Sequence, residues 1–323
     1  MRKTIRTWAA ALLLFLTAPL VAASDAFPDR AIKVVIPYAP GGGTDIVFRT
    51  IAPLASASLG QQIIVENKPG AATMIGTAMV AQAPADGYTL LASDSAMFIN
   101  PGLFKAKLPY DTLEKFRGLT MMATAPVVLL VHPGVPAKNL EEMIALAKAK
   151  PGSLNYGSGG SGTSPHLAGE LFKLAAQIDV RHIPYKGTSP ALTDLLGGQV
   201  QMMFGGISSA RQYVDNGQLR AFALTGRQRN PAMPTVPTFT EKGLDVDANS
   251  YWGIYAPAGV PDPILEKLSS HFARALADPG VQKKLADLGY QTIGNAPAEH
   301  DRQFRAMVKQ WTGVVDKARI QVE

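Results

Sequence analysis

Two glycine-rich segments of the chain have the residue types and positions that suit the binding of an anion. The first is PGGGTD at 40–45, and the second is GSGGSGTSPH at 157–166. Glycine lets the chain turn sharply and brings backbone N–H groups close to a ligand. Each segment follows an apolar run and precedes a helical pattern, so a helix N-terminus with unpaired N–H donors is expected behind it. A carboxylate or a phosphate would fit there, and an ordinary strand-to-helix turn is the alternative.

Polar residues at the end of each segment mark where the following helix should begin. Thr44 or Asp45 could cap the first helix. Ser164 is expected to cap the second helix, with Pro165 at its first position, where proline is favoured. His166 lies in the first turn of the second helix, so it either orients the glycine segment or contacts the ligand directly.

A third segment, 93–98, directly follows the apolar run 88–92. Ligands of open α/β sheets bind beyond the carboxyl ends of the strands, where this segment, both glycine segments and residues 204–206 are all expected. The hydroxyl groups of Ser93 and Ser95 could complete the hydrogen bonding of a carboxylate, although an ordinary turn would also explain them. Four segments at strand ends favour a pocket more strongly than any one of them.

Two aromatic side chains close to these segments, Tyr38 and Phe204, could pack against the apolar part of a ligand or belong to the core.

Metal and cofactor chemistry has less support. The chain has no cysteine, which excludes thiolate zinc sites and cysteine nucleophiles. The five histidines, at 132, 166, 182, 271 and 300, show no metal-ligand spacing. We therefore expect neither a metal ion nor a cofactor.

Enzyme motifs fit the same segments less well. Residues 157–162 match G-x-G-x-x-G, the dinucleotide-binding pattern, but Asp179 precedes the next strand-like run instead of ending it. Segment 40–45 lacks the Gly-Lys-Ser/Thr ending of a nucleotide-phosphate loop. Residues 159–163 end in threonine, where the G-x-S-x-G nucleophile motif ends in glycine. A secreted α/β enzyme that acts on a small carboxylate or a nucleotide stays as the alternative function.

Composition limits the remaining classes of protein. The chain has 323 residues, of which 47% are apolar, 17% charged and 7% aromatic, which is long enough for two packed domains. Residues 1–23 combine three basic side chains with a short apolar run that Pro19 interrupts, a pattern typical of a secretory signal peptide and not of a membrane span. Without those basic residues the net charge falls from +6 to +3, and with so few aromatic residues no nucleic-acid partner is expected.

The alternation of apolar β-branched runs with helical patterns predicts an α/β fold with parallel sheets. Strand-like runs begin at 32, 62, 88, 127, 154, 180, 200 and 251. Domain boundaries are expected near Thr124 and Ala248. The helices predicted after Pro261 could form a domain of their own or return to the first domain, and periodicity does not decide between the two.

Motifs in the same order along the whole mature chain resemble the Bug family, the extracytoplasmic solute receptors of the tripartite tricarboxylate transporter type. The motifs are FPDRAIK at 27–33, PYAPGGGTD at 37–45, ENKPGA at 66–71, ADGYTL at 85–90, residues 156–167, PYKG at 184–187, DLLGGQ at 194–199 and WGIYAP at 252–257. Because so many separate motifs match, the resemblance is specific.

The resemblance implies a two-domain periplasmic-binding-protein fold of the Venus-flytrap kind, type II, in which the C-terminal segment returns to the first domain. The domains are then 24–124 plus 249–323, and 125–248. It also implies a ligand carboxylate held largely by backbone N–H groups and bridging waters, at Gly42, Gly43, Thr44, Asp45, Gly160, Ser161, Gly162, Thr163 and Ser164, with Ser93 and Ser95. Gly205 stands where family members often have aspartate, which argues against a ligand that needs a nearby anion, although Asp94 could substitute.

These observations together predict a monomeric periplasmic receptor that captures a small carboxylate between two lobes. It would present that ligand to the subunits of a membrane transporter or to a sensor protein. Attraction for the anion should come from the helix ends, since the net charge is small. Gly162→Val is expected to remove binding because a branched side chain would fill the anion site.

Overall fold

The computed structural model describes residues 27–320, so the signal peptide predicted at 1–23 lies outside the described residues. Its strands are β1 (Ile32–Ile36), β2 (Ile63–Asn67), β3 (Thr89–Asp94), β4 (Phe116–Ala125), β5 (Val127–Val131), β6 (Asn155–Ser158), β7 (Arg181–Pro184), β8 (Met202–Gly206), β9 (Arg220–Leu224), β10 (Ser250–Pro257) and β11 (Gln291–Thr292). Its helices are α1 (Gly43–Leu59), α2 (Met74–Ala81), α3 (Ala96–Phe104), α4 (Thr112–Lys115), α5 (Leu140–Ala149), α6 (Ser164–Ala176), α7 (Thr188–Leu196), α8 (Ile207–Asp215), α9 (Asp262–Leu276), α10 (Pro279–Asp287) and α11 (Pro297–Ala318). None of these helices has the length and hydrophobicity of a membrane span.

The first sheet has six strands in the order β11-β4-β10-β3-β1-β2. β1 pairs in parallel with both β2 and β3, as the strand–helix–strand pattern predicts. β10 lies between β3 and β4 and runs antiparallel to both. Val34, Val35 and Ile36 are fully buried, because a strand covered on both faces is apolar at successive positions.

The C-terminal helices pack against this first sheet. α9 lies against α1, where the ring centroids of Phe48 and Phe272 are 6.0 Å apart. α11 lies against α3 and β4, and Phe304 packs on Tyr255 of β10 with ring centroids 5.0 Å apart. The segment after β10 therefore shares its core with the N-terminal strands.

The second sheet has five strands in the order β7-β6-β8-β5-β9. β6 pairs in parallel with β7 and β8, whereas β5 runs antiparallel to β8 and β9. Phe172 of α6, Phe204 of β8 and Phe239 form an aromatic cluster with ring centroids 5.4 to 6.2 Å apart. All three side chains are fully buried, so this cluster fixes α6 on the sheet.

The chain passes between the two sheets at Pro126 and again just before β10. One buried threonine ties the two passages together. Thr225 Oγ1 accepts a hydrogen bond from the backbone N–H of Val127 at 2.8 Å and donates to Asn249 Oδ1 at 2.8 Å. The boundaries expected near Thr124 and Ala248 lie beside these passages, and the division into two domains stays a prediction.

Several elements differ from the sequence pattern. The pattern missed the strands β4, β9 and β11 and the helices α3, α4 and α8, and β4 with ten residues is the longest strand described. α3 contains Pro101, which argues against a helix in a sequence, and α8 is mostly polar. These elements form because they pack on a sheet, an effect that local sequence preferences do not report.

His300 generates a prediction about stability. Its side chain is fully buried against Tyr255, and burial lowers its pKa from 6.5 to about 3. The unfolded chain therefore binds a proton below pH 6.5 that the folded protein does not bind, so stability is lost as pH falls from 6.5 towards 3. In His300→Gln the loss should be less steep by about 1.4 kcal/mol per pH unit. Urea unfolding of both proteins between pH 8 and pH 4.5 measures this, and equal slopes would contradict it.

Candidate ligand-binding site

A cavity of about 240 Å³ lies between the loops of the two sheets. Its wall contains residues from the starts of four helices, α1, α6, α7 and α8, together with Tyr38, Asp94, Trp252 and Tyr290. A larger groove of about 820 Å³ lies beside 225–231, but none of these four helix starts opens into it. The smaller cavity is therefore the candidate site.

The first glycine segment brings backbone groups to the cavity as predicted. Gly42, Gly43 and Thr44 all line it. The capping prediction was wrong, because Gly42 is the N-cap of α1 and no side chain caps this helix. A Cβ atom at Gly43 would lie 2.9 Å from Cζ2 of Trp252, so only glycine lets the helix start approach this ring.

Asp45 faces away from the cavity and holds the glycine segment in place. Its Oδ2 accepts a hydrogen bond from the N–H of Gly41 at 3.0 Å, and its Oδ1 accepts from Arg49 Nε at 2.8 Å and Asn67 Nδ2 at 3.1 Å. Burial raises the pKa of this carboxyl, but these hydrogen bonds outweigh burial, and the pKa lies below its usual value. Asp45 is thus a charged anchor beneath the loop.

The second glycine segment is capped one residue earlier than the sequence predicts. Thr163 is the N-cap of α6; its Oγ1 accepts from the N–H of His166 at 3.4 Å and donates to Gly160 O at 2.7 Å. Ser164 instead donates to Asn249 O at 3.2 Å. Thr163 lines the cavity together with Gly159 and Pro165. Gly160, Ser161, Gly162 and Ser164 are not part of the lining.

His166 supports the second glycine segment from behind. Its Nδ1 accepts a hydrogen bond from the N–H of Gly162 at 3.3 Å, and its ring stacks on His182 with centroids 4.2 Å apart. Burial lowers the pKa of His166 to about 4, so the ring is neutral and can accept this bond. His166 is buried and is not part of the cavity lining.

Gly162 lies against helix α3, on the side of the first sheet, and does not line the cavity. Its φ of +80° favours glycine, and an added Cβ atom would collide with Oδ1 of Asn100 on α3. A valine side chain at position 162 would therefore not fill the anion site, contrary to the expectation from the sequence. Such a side chain would push the second glycine segment away from α3.

In the third segment the cavity residue is Asp94, and the two serines lie elsewhere. Successive side chains of a strand point to opposite faces, so Ser93 is buried while its neighbour Asp94 reaches the cavity. Ser93 Oγ has no hydrogen-bond partner among the described residues. Ser95 Oγ accepts from the N–H of Tyr251 at 3.0 Å, which ties α3 to β10.

Tyr38 and Asp94 form a hydrogen-bonded pair in the cavity wall. Tyr38 Oη donates to Asp94 Oδ1 at 2.6 Å, and the N–H of Ala96 donates to the same oxygen at 2.9 Å. Burial raises the pKa of Asp94 to about 6. Burial and the nearby Asp94 charge raise the pKa of Tyr38 above 10, so the phenol keeps its proton.

Phe204 belongs to the core and is not part of the cavity lining. The segment 204–206 was expected at the pocket, and Gly206 does line the cavity. Sequence reasoning did not name as site residues Lys186, Gly187 and Thr188 before and in α7, or Ser208 and Ser209 in α8. A signal was present, because a glycine stands between a strand-like run and a helix at both places. These two glycines, Gly187 and Gly206, are the N-caps of α7 and α8.

The arrangement favours a negatively charged group. The first turn of a helix has N–H groups without intrahelical partners and carries partial positive charge. α1, α7 and α8 each begin at a glycine N-cap with no side-chain cap. No N-cap side-chain oxygen therefore competes with a ligand for the N–H groups of their first turns. The exposed side chain of Lys186 adds a full positive charge. Within residues 27–320, no group of three His, Asp or Glu side chains is placed to hold a metal ion.

Hydrogen bonds also connect the two sides of the cavity directly. Ser208 Oγ of α8 and Tyr290 Oη lie 2.9 Å apart at the cavity wall. Nearby, Arg211 Nη1 donates to Asp287 O at 3.1 Å, and Asn230 Nδ2 donates to Gly289 O at 3.0 Å. The described conformation therefore holds the two sides together.

An α/β fold of two sheets, with a cavity between them that helix N-termini from both sides line, defines a solute-binding receptor of the periplasmic-binding-protein class. Residues 47–320 match the family model of the tripartite tricarboxylate transporter family receptor, TctC. The chain belongs to this family.

Individual relatives agree with the family match. The chain is 34% identical to protein BugT of Bordetella pertussis over 302 residues, which cover 93% of this chain and 92% of BugT. It is 32% identical to the periplasmic binding protein BugD, with a TM-score of 0.85 and coverage of 92% and 100%. A Rhodopseudomonas palustris protein whose structure contains malate is 32% identical, with a TM-score of 0.84 and coverage of 90% and 100%. The Bug-family resemblance, the fold class and the receptor role are confirmed, and the enzyme alternative has no support.

The assignment of the α6 cap can be tested by stability. Thr163→Ala removes the cap and the bond to Gly160 O, so the free energy of unfolding should fall by about 1–2 kcal/mol. Ser164→Ala should cost less. Thr193→Ala, an exposed site inside α7, should change stability by less than about 0.5 kcal/mol. Urea unfolding at pH 7.5 compares the three, and a larger loss for Ser164→Ala than for Thr163→Ala would place the cap at Ser164.

Proposed function

We propose that this receptor captures a small carboxylate in the cavity between its two sheets and presents it to a transporter of the tripartite tricarboxylate type or to a sensor. The observation that carries the proposal is the convergence of four helix N-termini on one cavity of about 240 Å³. That volume lies below the roughly 300–1,000 Å³ of pockets for drug-sized ligands, so it suits a small solute. A related structure with bound malate supports a carboxylate over a phosphate.

The proposed ligand contacts come from both sides of the cavity. On the first side they are Tyr38 and the N–H groups of Gly43 and Thr44, which follow Gly42. On the second side they are Thr163 with the starts of α7 and α8, and the ammonium group of Lys186. A ligand bound by both sides would hold them together, which is the action of a two-lobed clamp with lobes 24–124 plus 249–323 and 125–248.

Location and partners follow from the same proposal. The family description names a transporter receptor, and the related BugD is a periplasmic binding protein. With the signal peptide predicted at 1–23, we propose that the mature chain works in the periplasm as a monomer. Sedimentation of the mature chain with and without ligand tests the monomeric state.

Ligand class is tested by calorimetry on protein that has been unfolded, dialysed and refolded, so that no ligand is carried over. The panel contains monocarboxylates and dicarboxylates, both aliphatic and aromatic, with the corresponding amides and inorganic phosphate as matched compounds. We expect one or more carboxylates to bind and their amides not to bind, because an amide brings no negative charge to the helix ends. Tight binding of a neutral solute, with no carboxylate bound, would overturn the proposal.

Gly43→Ala tests the role of the first helix start. The added Cβ atom lies 2.9 Å from Trp252 and displaces the start of α1 from the ring. Affinity for the carboxylate should fall by about tenfold or more. Gly313→Ala is the matched control, because a Cβ atom there has no atom within 4 Å, and its affinity should be unchanged. Equal affinity of the two variants would remove α1 from the binding site.

A further inference from the structure

Asp94 is a carboxylate in the wall of a cavity that is otherwise built to attract anions. It is half-buried and lines the cavity opposite Lys186 and the starts of α7 and α8. A ligand with nothing but negative charge would be attracted by one wall and repelled by this side chain. The cavity therefore has two chemically different ends.

Hydrogen bonding leaves one oxygen of Asp94 available. Tyr38 Oη and the N–H of Ala96 both donate to Oδ1, at 2.6 and 2.9 Å. Within the described part of the chain, no other residue donates a hydrogen bond to Oδ2. Because Oδ1 is held by two donors, the carboxyl group is fixed in orientation, and Oδ2 remains as an acceptor.

No cationic side chain neutralises Asp94 within the described residues. The titratable groups that face it from the packed elements are Tyr38 after β1 and Tyr255 of β10, with Tyr110 behind Tyr38, and none of them is positive. Burial accordingly raises the pKa of Asp94 to about 6. A carboxylate held in a cavity without a cation is costly unless a ligand provides a donor.

We infer that Asp94 Oδ2 accepts a hydrogen bond from a hydroxyl or ammonium group of the ligand, so that the receptor selects a carboxylate bearing such a donor over the same carbon chain without it. The inference rests on the proposed function and names the ligand class within it. The carboxylate lies at the helix starts, and the donor lies at the end of the cavity that Tyr38 and Asp94 form.

Two matched ligand series test the selection by calorimetry at pH 8. The first is succinate, malate and aspartate, and the second is butyrate, 2-hydroxybutyrate and 2-aminobutyrate. Within each series only the group at one carbon changes, from hydrogen to hydroxyl to ammonium. In at least one series a donor-bearing member should bind about tenfold or more tightly than the plain member. The tighter of hydroxyl and ammonium identifies the donor.

Asp94→Asn tests whether Asp94 causes the preference. The amide keeps an oxygen for Tyr38 and Ala96 and turns an N–H donor towards the ligand. The preference should disappear or reverse, with the plain member gaining affinity. Asp194→Asn is the matched control, because Asp194 likewise accepts a hydrogen bond from a tyrosine, Tyr185, at 2.7 Å, and does not line the cavity. Its preference should equal that of the unmodified protein.

A pH series on the unmodified protein gives a second readout that does not depend on a variant's folding. Below pH 6 Asp94 is protonated and no longer repels a plain dicarboxylate. From pH 8 to pH 5.5, with each affinity expressed for the ligand dianion so that protonation of the free ligand is removed, succinate should bind more tightly relative to malate. Its binding near pH 6 should also take up more protons than the free ligand accounts for, seen as a dependence of the measured heat on the buffer. An unchanged ratio would contradict the inference.

The outcomes separate the two proposals. If no member of either series nor any other carboxylate binds, the proposed function fails, and the inference fails with it. If the plain members bind as tightly as the donor-bearing members, the carboxylate function stands and the role of Asp94 is overturned. A preference that survives in Asp94→Asn would also overturn that role.

Discussion

The constraint on which the rest of the structure depends is that helix starts must face one cavity with their N–H groups free. A polar side chain at the N-cap would satisfy those groups internally. α1, α7 and α8 avoid this with glycine at Gly42, Gly187 and Gly206. α6 does have a side-chain cap, because Thr163 accepts a hydrogen bond from the N–H of His166. The glycine segment before Thr163 still lines the cavity, through Gly159. The stability that a side-chain cap would add is therefore given up at three helix starts that line the cavity.

The directions of the strands bring the four helix starts together at the cavity. Parallel strands end at one edge of a sheet, and a helix that follows each strand begins at that edge. β1, β6, β7 and β8 are the strands that lead into the four helix starts. Anchors behind the loops then fix them, with Asp45 below the first segment and the stacked pair of His166 and His182 below the second. Residues that never contact the cavity thus determine its shape.

Much of the fold and part of the site could be predicted from the sequence. The glycine segments and the strand ends before them were found because glycine between two periodic patterns is a local signal. The direction in which a single side chain faces could not be predicted, because it depends on contacts with distant parts of the chain. Ser93 was chosen over the adjacent Asp94, because the pattern gives the alternation of a strand but not which face is buried. Whether His166 and Phe204 face the ligand or the protein interior stayed open for the same reason, since their surroundings come from other segments of the chain. The strand end at 204–206 was expected at the pocket, but the helix α8 behind it was not predicted, because its sequence is mostly polar.

The contacts between Ser208 and Tyr290, Arg211 and Asp287, and Asn230 and Gly289 involve only protein atoms. They stabilise the conformation in which the two sides of the cavity are in contact, whether or not the cavity is filled, so a ligand needs to spend less of its binding energy on bringing the sides together. For a receptor that reports its loaded state to a partner, this gain in affinity would have a limit. A partner that recognises closure would respond to empty molecules as well as loaded ones, and empty closed molecules would compete for it. In the proposed receptor, the strength of these few bonds would therefore balance tight binding of a scarce solute against a faithful report of its presence.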